Sequence, residues 1–331
     1  MTASAEAAVG VNYGRVGQPL PSPSEVVSLL QGLGVKHVKI YSPASDALTA
    51  FANSGIDVFV GITNDNIASL ANDPTAAAAW VTSNVKQYYP ATQITYIGVG
   101  NEYLGNAGKY DISKLMPAIW NVQNAIEDAG YASNIKVCSP HFYGIISAAH
   151  PFPPSVGAFE SQWTAVLKSY LDFCVQKGSP MTLNIYPYFA YKSASHSIDW
   201  GYALFNADAS HYVTDNGKTY TNLFDAMVDT VVAAMARLGP YDNVPILISE
   251  SGWPSGPSDN NAPANIAYAQ TYNNNLVKHV LSKTGTPARP GYIRTYIFAL
   301  FNENGKPGTP DEKHFGLYYP DKMPVYNINF S

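Results

Sequence analysis

Two glutamates in this sequence could do chemistry as a pair: Glu102 in "IGVGNEY" (97–103) and Glu250 in "ILISESGWPSG" (246–256). Each ends a short apolar run and is followed by a turn. An unpaired carboxylate at the end of a buried run is costly, so it must find a partner or a task. A single Glu there reads as one half of an ion pair with Lys or Arg. Two, each flanked by Gly, Asn or Ser, read as a working pair. Two facing carboxylates can break a glycosidic bond: one gives a proton to the leaving oxygen, the other attacks the sugar carbon or activates water. A separation of about 5–5.5 Å gives retention of configuration, and a wider one gives inversion. Asn101, directly before Glu102, is placed to bond a sugar hydroxyl.

The surrounding pattern supplies elements that could hold such a pair. Eight short apolar runs (8–14, 37–42, 56–62, 94–100, 135–141, 181–187, 244–250 and 292–298) alternate with helix-like stretches. The runs are Val/Ile/Tyr-rich and only weakly alternating, as parallel strands buried on both faces are. Helices are expected over 22–34, with Ser24 as cap, and over 73–89, with Asp73 then Pro74 at the first turn. Others are expected over 111–130, 220–239 and 263–283. This alternation predicts an α/β fold, a single (β/α)8 TIM barrel. A doubly wound sheet would show G-x-G-x-x-G after its first strand, and "NYGRVGQPLP" lacks that spacing. Catalytic groups of such barrels sit at the C-terminal strand ends, where Glu102 (fourth run) and Glu250 (seventh run) both lie. Two connections, 142–161 and 186–220, exceed what a βα loop needs, and long loops in compact domains are usually functional.

Composition narrows the partner. The chain has 331 residues, a net charge of −5, 13% charged residues and 13% aromatics. No basic run is present to neutralise phosphates, so no nucleic acid is expected. No apolar stretch reaches the roughly 18 residues of a membrane span. A polyhydroxylated ligand suits the aromatics Tyr13, Tyr41, Tyr186, Tyr188, Phe189, Trp253 and Phe301, all at or just after strand ends, because ring faces pack on the apolar faces of sugars. The seven histidines show no H-x-H or H-E-x-x-H spacing, so neither metal nor cofactor is expected. His141 reads as a structural histidine. "SES" around Glu250 is not a serine-hydrolase elbow. Cys138 and Cys174 read as buried free thiols rather than a disulfide. "MTASAEAA" has neither the charged nor the apolar region of a signal peptide; residues 1–8 read as an added remnant or a mature end, and 9–331 as one catalytic domain.

Along nearly its whole length the chain resembles plant-type glycoside hydrolase family 17, the β-1,3-glucanases. The resemblance is carried in order by "VNYGRVGQPLPSPSEVV", "VKIYSP", "YIGVGNEY", "LMPAIWNVQNAI", "LNIYPYFAY", "TNLFDAMVD", "ISESGWPSG", "YIFALFNENGKPG" and "HFGLYYP". It implies a (β/α)8 barrel, a retaining mechanism, Glu102 as acid/base and Glu250 as nucleophile. It also implies a supporting polar cluster of Glu303, Lys306 and Glu312, and a small subdomain (186–220) after the sixth strand that walls one end of the groove. The implied partner is a β-1,3-glucan such as callose, laminarin or fungal wall glucan. The implied setting is a secreted monomer in the cell wall or apoplast, or a vacuolar one, with a role in plant defence. The family motifs leave two other readings open, a mixed-linkage β-1,3;1,4-glucanase and a β-1,3-glucan transglycosylase; the rival of another class is a glucan-binding wall protein without turnover, which the glutamate pair discriminates.

Overall fold

The computed structural model describes residues 8–194, 197–257 and 263–331; of the expected remnant, 1–7 lie outside the described residues. The strands are β1 (Val9–Tyr13), β2 (His37–Ile40), β3 (Asp57–Ile62), β4 (Ile94–Val99), β5 (Lys136–Cys138), β6 (Pro140–Phe142), β7 (Met181–Asn184), β8 (Val213–Asp215), β9 (Lys218–Tyr220), β10 (Ile246–Ser251) and β11 (Thr295–Ile297). Nine of them form one sheet in the order β5-β4-β3-β2-β1-β11-β10-β7-β6. Every pairing in it is parallel. Its two edges, β5 and β6, are consecutive pieces of the fifth apolar run, so the sheet comes round on itself as the expected eight-stranded barrel.

The fifth run is not one strand, as the sequence suggests. It breaks at Ser139, whose amide donates to the Tyr170 hydroxyl at 3.0 Å and whose hydroxyl donates to the Val99 carbonyl at 3.0 Å. Side chains thus take the backbone and polar groups that the ladder gives up, and the run changes partners there from β4 to β7.

Inside the barrel, large rings fill space vacated by glycine. A Cβ on Gly10 would lie 2.3 Å from the Tyr296 ring, and one on Gly98 would lie 2.7 Å from the Phe59 ring. Phe59 in turn meets Tyr296 edge-on at 6.0 Å. The interior is a packed core, as the layered filling of such barrels requires.

The helices are α1 (Pro23–Gly32), α2 (Ser45–Ala50), α3 (Ile67–Asn72), α4 (Pro74–Val81), α5 (Leu115–Asp128), α6 (Thr164–Lys177), α7 (Pro187–Ser193), α8 (Trp200–Ala203), α9 (Leu223–Leu238) and α10 (Ile266–Leu281). The cap of α1 is Ser22, not Ser24: Pro23 opens the helix, and Ser22 and Glu25 form a reciprocal capping box. Asp73 caps α4 as expected, accepting from the Thr75 amide at 2.8 Å. The helix expected over 73–89 leaves α geometry at Val81 and continues as a π-type turn to Lys86. The long connection 186–220 holds α7, α8 and the antiparallel hairpin β8–β9. Cys138 and Cys174 are buried free thiols, with burial pushing the Cys138 thiol up to about 12. No helix among the described residues is long and apolar enough to cross a membrane.

Candidate active site

β4 ends in a sharp bend that delivers the first glutamate. Gly100 takes φ 73 and Glu102 itself takes φ 52, a left-handed conformation that side chains other than glycine rarely adopt. Local bonds hold the bend. Asn64 accepts from the Asn101 amide at 2.8 Å and donates to the Asn101 carbonyl at 3.0 Å, and the Glu102 amide donates to the Pro140 carbonyl at 2.9 Å. Backbone strain kept in place by surrounding bonds is typical of functional positions. The Glu102 side chain accepts from Asn184 Nδ2 at 2.9 Å. Burial, and next the charge of Glu250, push its carboxyl up to about 7; the Asn184 bond, Lys39 and Lys306 pull the other way. Within the implied supporting cluster, the Lys306 charge acts to lower the Glu102 carboxyl.

Glu250 lies on β10, in register with Asn184 of β7, and is 5% exposed. Its Oε1 accepts from Lys39 Nζ at 2.8 Å and from the Tyr41 hydroxyl at 2.7 Å, and its Oε2 accepts from the Tyr186 hydroxyl at 2.8 Å. Burial alone would raise this carboxyl. The charge and hydrogen bond of Lys39, with the two tyrosine hydroxyls, outweigh it and hold Glu250 below the ordinary glutamate value. Burial and the Glu250 charge keep both tyrosines protonated, so they remain donors.

Glu102 and Glu250 line the same cleft of about 550 Å³, together with Asn184, Tyr186, Lys306 and Glu312. The two long connections form much of its remaining wall, through Phe142, Tyr143 and Pro151 from one and Phe189, Ala190 and Ser193 from the other. A second hollow of about 260 Å³ adjoins the Glu250 partners Lys39 and Tyr41 and reaches Asn101. Glu303, Lys306 and Glu312 do come together: Lys306 Nζ is 3.6 Å from Glu303 and 3.0 Å from Glu312. That ammonium also sits 4.3 Å above the Phe298 ring. Burial raises the Glu303 carboxyl against the pull of Lys306.

The predicted aromatics divide. Tyr41 and Tyr186 are half-buried and Phe189 is 38% exposed. Tyr13, Tyr188, Trp253 and Phe301 are at most 1% exposed and so offer no face to a sugar, contrary to expectation. They pack instead. Trp253 meets Tyr188 edge-on at 5.2 Å and donates to the Pro263 carbonyl at 2.7 Å, and Tyr13 meets Phe301 edge-on at 6.3 Å. His141 is buried against Tyr170, and burial pushes its imidazole down to about 3, a structural role as read.

Two residues of the site escaped the sequence reading. Lys39, 1% exposed, bridges Glu250 and Asn101 Oδ1, the latter at 3.1 Å. Its signal was present: a lysine inside the buried strand "HVKI" demands a partner charge. Asn184 carries a weaker signal, a lone amide at the end of "MTLN". Ser249 Oγ donates to Asn184 Oδ1 at 2.6 Å, which fixes the amide so that its N–H₂ faces Glu102.

Comparison with known proteins identifies the family and the fold. The family model "Glycosyl hydrolases family 17" matches residues 9–330. An acidic glucan endo-1,3-beta-glucosidase of Zea mays is 44% identical over 98% of this chain and 91% of its own. Glucan endo-1,3-beta-glucosidase 7 of Arabidopsis thaliana is 39% identical over 99% of this chain, which spans 64% of that longer protein. The solved structure of CJP38, a beta-1,3-glucanase and allergen of Cryptomeria japonica pollen, superposes with a TM-score of 0.92 at 49% identity, covering 98% of this chain and 99% of that one. With the barrel, the paired strand-end glutamates and a family match over almost every residue, the chain belongs to glycosyl hydrolases family 17.

Proposed function

We propose that this chain cleaves internal β-1,3-glucosidic bonds of β-1,3-glucans with retention of configuration. The observation that carries the reading is the opposed environment of two glutamates on one cleft. Glu250 is held ionised by Lys39, Tyr41 and Tyr186, while Glu102 is raised to about 7. Carboxyls driven apart in this way take opposite acid–base roles.

The Glu250 carboxylate attacks the anomeric carbon as the bond to the leaving oxygen breaks, and Glu102 gives that oxygen its proton. A water then attacks the same carbon, Glu102 takes the water's proton, and the bond to Glu250 breaks. Two inversions leave the configuration retained. Lys39 occupies Asn101 Oδ1, so Asn101 offers a sugar hydroxyl its side-chain N–H₂. Lys306, with Glu303 and Glu312, sets the field near Glu102. Tyr41, Tyr186 and Phe189 supply the ring surfaces. Residues 186–220 act as a small inserted subdomain walling one end of the groove. Similarity to plant glucan endo-1,3-beta-glucosidases favours a setting outside the cell or in the vacuole, and the working form is read as a monomer.

The test is reducing-sugar release from laminarin, mixed-linkage β-glucan and carboxymethyl cellulose by the parent chain and by Glu250→Gln. Preferential cleavage of laminarin, lost in the variant, supports the reading. Faster cleavage of the mixed-linkage polymer moves the specificity. Products longer than the substrate indicate transglycosylation, and laminarin binding without cleavage indicates a wall-binding protein.

A further inference from the structure

Trp200 stands outside the catalytic cleft, and its environment is unusual for an indole. It opens the short helix α8, capped by Asp199, which accepts from the Tyr202 amide at 2.9 Å. It is 48% exposed, although an indole is among the costliest side chains to leave in water. Its ring lies parallel to that of Tyr268, 5° between planes and 6.0 Å between centroids. The indole is thus stacked, with offset, on a neighbouring aromatic ring and still about half open to solvent. A flat, stacked and half-open indole is a platform for the C–H face of a pyranose ring.

The platform is tied to the catalytic wall. Tyr268 meets Trp253 at 6.4 Å, Trp253 meets Tyr188 at 5.2 Å, and Tyr188 meets Phe189 at 5.1 Å. Phe189 meets Tyr186 at 5.6 Å, and Tyr186 bonds Glu250. Trp253 and Tyr188 are fully buried, so this row of rings is firm. Its two most exposed members are Phe189 on the cleft and Trp200 outside it. We propose that Trp200 is a second carbohydrate-holding site, taking a glucosyl ring of the same β-1,3-glucan that occupies the cleft. The inference rests on the glucan reading above. Holding a polymer at two places raises its effective concentration at the cleft, whereas a short oligosaccharide occupying the cleft alone gains nothing.

The experiment pairs Trp200→Ala and Trp200→Phe. In a Glu250→Gln background, which binds without turnover, depletion onto insoluble β-1,3-glucan gives the Kd. Trp200→Ala should raise it about two- to tenfold, and Trp200→Phe should raise it less. In the active chain, kcat/KM on laminaripentaose should be unchanged by Trp200→Ala, while that on the insoluble polymer falls. Equal polymer binding by the Ala variant and the parent overturns the proposal. A parent that cleaves neither substrate overturns the glucanase reading instead, and polymer binding still decides the role of Trp200. A readout without a mutation at the platform is the indole N–H resonance of Trp200 in Glu250→Gln protein, assigned by its loss in Trp200→Phe. It should move on adding laminarin while that of buried Trp253 stays in place; a Trp200 signal that does not respond also overturns the proposal.

Discussion

The side-chain amide of Asn184 donates to Glu102 at 2.9 Å from a strand position in register with Glu250. It thus touches one glutamate and is built into the ladder of the other. A hydrogen bond donated to a carboxylate favours its charged form and lowers its pKa. Asn184→Ala should therefore raise the Glu102 carboxyl further, and the alkaline limb of the pH–rate profile should move upward. The maximal rate should fall about tenfold or more, because the proton donor loses its positioning. The measurement is kcat/KM on laminarin against pH. A limb moving downward would show that the group titrating there is not Glu102.

Lys39 is the only charged side chain bonded to Glu250 among the described residues. Lys39→Met leaves the carboxylate buried with two hydroxyl donors, so its pKa must rise. The acid limb of activity should move to higher pH, with a loss of about 100-fold or more in kcat/KM. Removing one partner of a buried pair costs roughly 3–5 kcal/mol, so the melting temperature should fall too. Lys39→Arg keeps the charge but brings a planar fork into a site shaped for a point charge, and it should recover only part of the loss. A Met variant with an unmoved acid limb would remove Lys39 from any role in holding Glu250 ionised.

The barrel and both glutamates were legible because their signals are local. Apolar runs with turns between them mark strands, and a carboxylate at the end of such a run stands out. What was not legible depends on which side chains meet across the barrel. Lys39 and Glu250 are 211 positions apart, and only closure of the sheet joins them. The same holds for the aromatics: position after a strand end is shared by Phe189, which faces the cleft, and Trp253, which the core swallows. The break at Ser139 was hidden because each half of the run looks like an ordinary buried strand. Ser24 looks as much like a cap of α1 as Ser22 does, and Pro23 at the first helical position decides between them.

The pH dependence follows from the two shifts with opposite signs. Activity requires Glu250 ionised and Glu102 protonated. It should rise through the acid range as Glu250 loses its proton, and fall as pH passes about 7, where Glu102 loses its own. Stability carries a separate signature. The native Glu102 carboxyl is raised above its unfolded value, so the native state binds the extra proton, and stability falls as pH rises through the shifted value. Glu102→Gln removes that penalty. It should melt above the parent at pH well above 7 and level with it in acid, while being nearly inactive. Equal melting temperatures at every pH would mean that the glutamate is not raised.

Gly14 offers a way to disturb the supporting cluster without touching its charges. A Cβ there would lie 1.9 Å from Glu303 Oε1. The obstacle is the end of a flexible side chain, so Glu303 must swing away, and its contact with Lys306 at 3.6 Å must change. Lys306 then leans on Glu312 alone, and the field it exerts on Glu102 changes with it. Overpacking of this kind costs about 1–3 kcal/mol, so Gly14→Ala should remain folded. Its kcat/KM should nevertheless drop, with a larger part in kcat than in KM, and Glu303→Gln should show the same split. Thermal melts and steady-state kinetics on laminarin check both. If Gly14→Ala keeps full activity while Glu303→Gln loses it, the charge of Glu303 matters and its placement does not; if both keep it, the cluster serves the fold rather than the reaction.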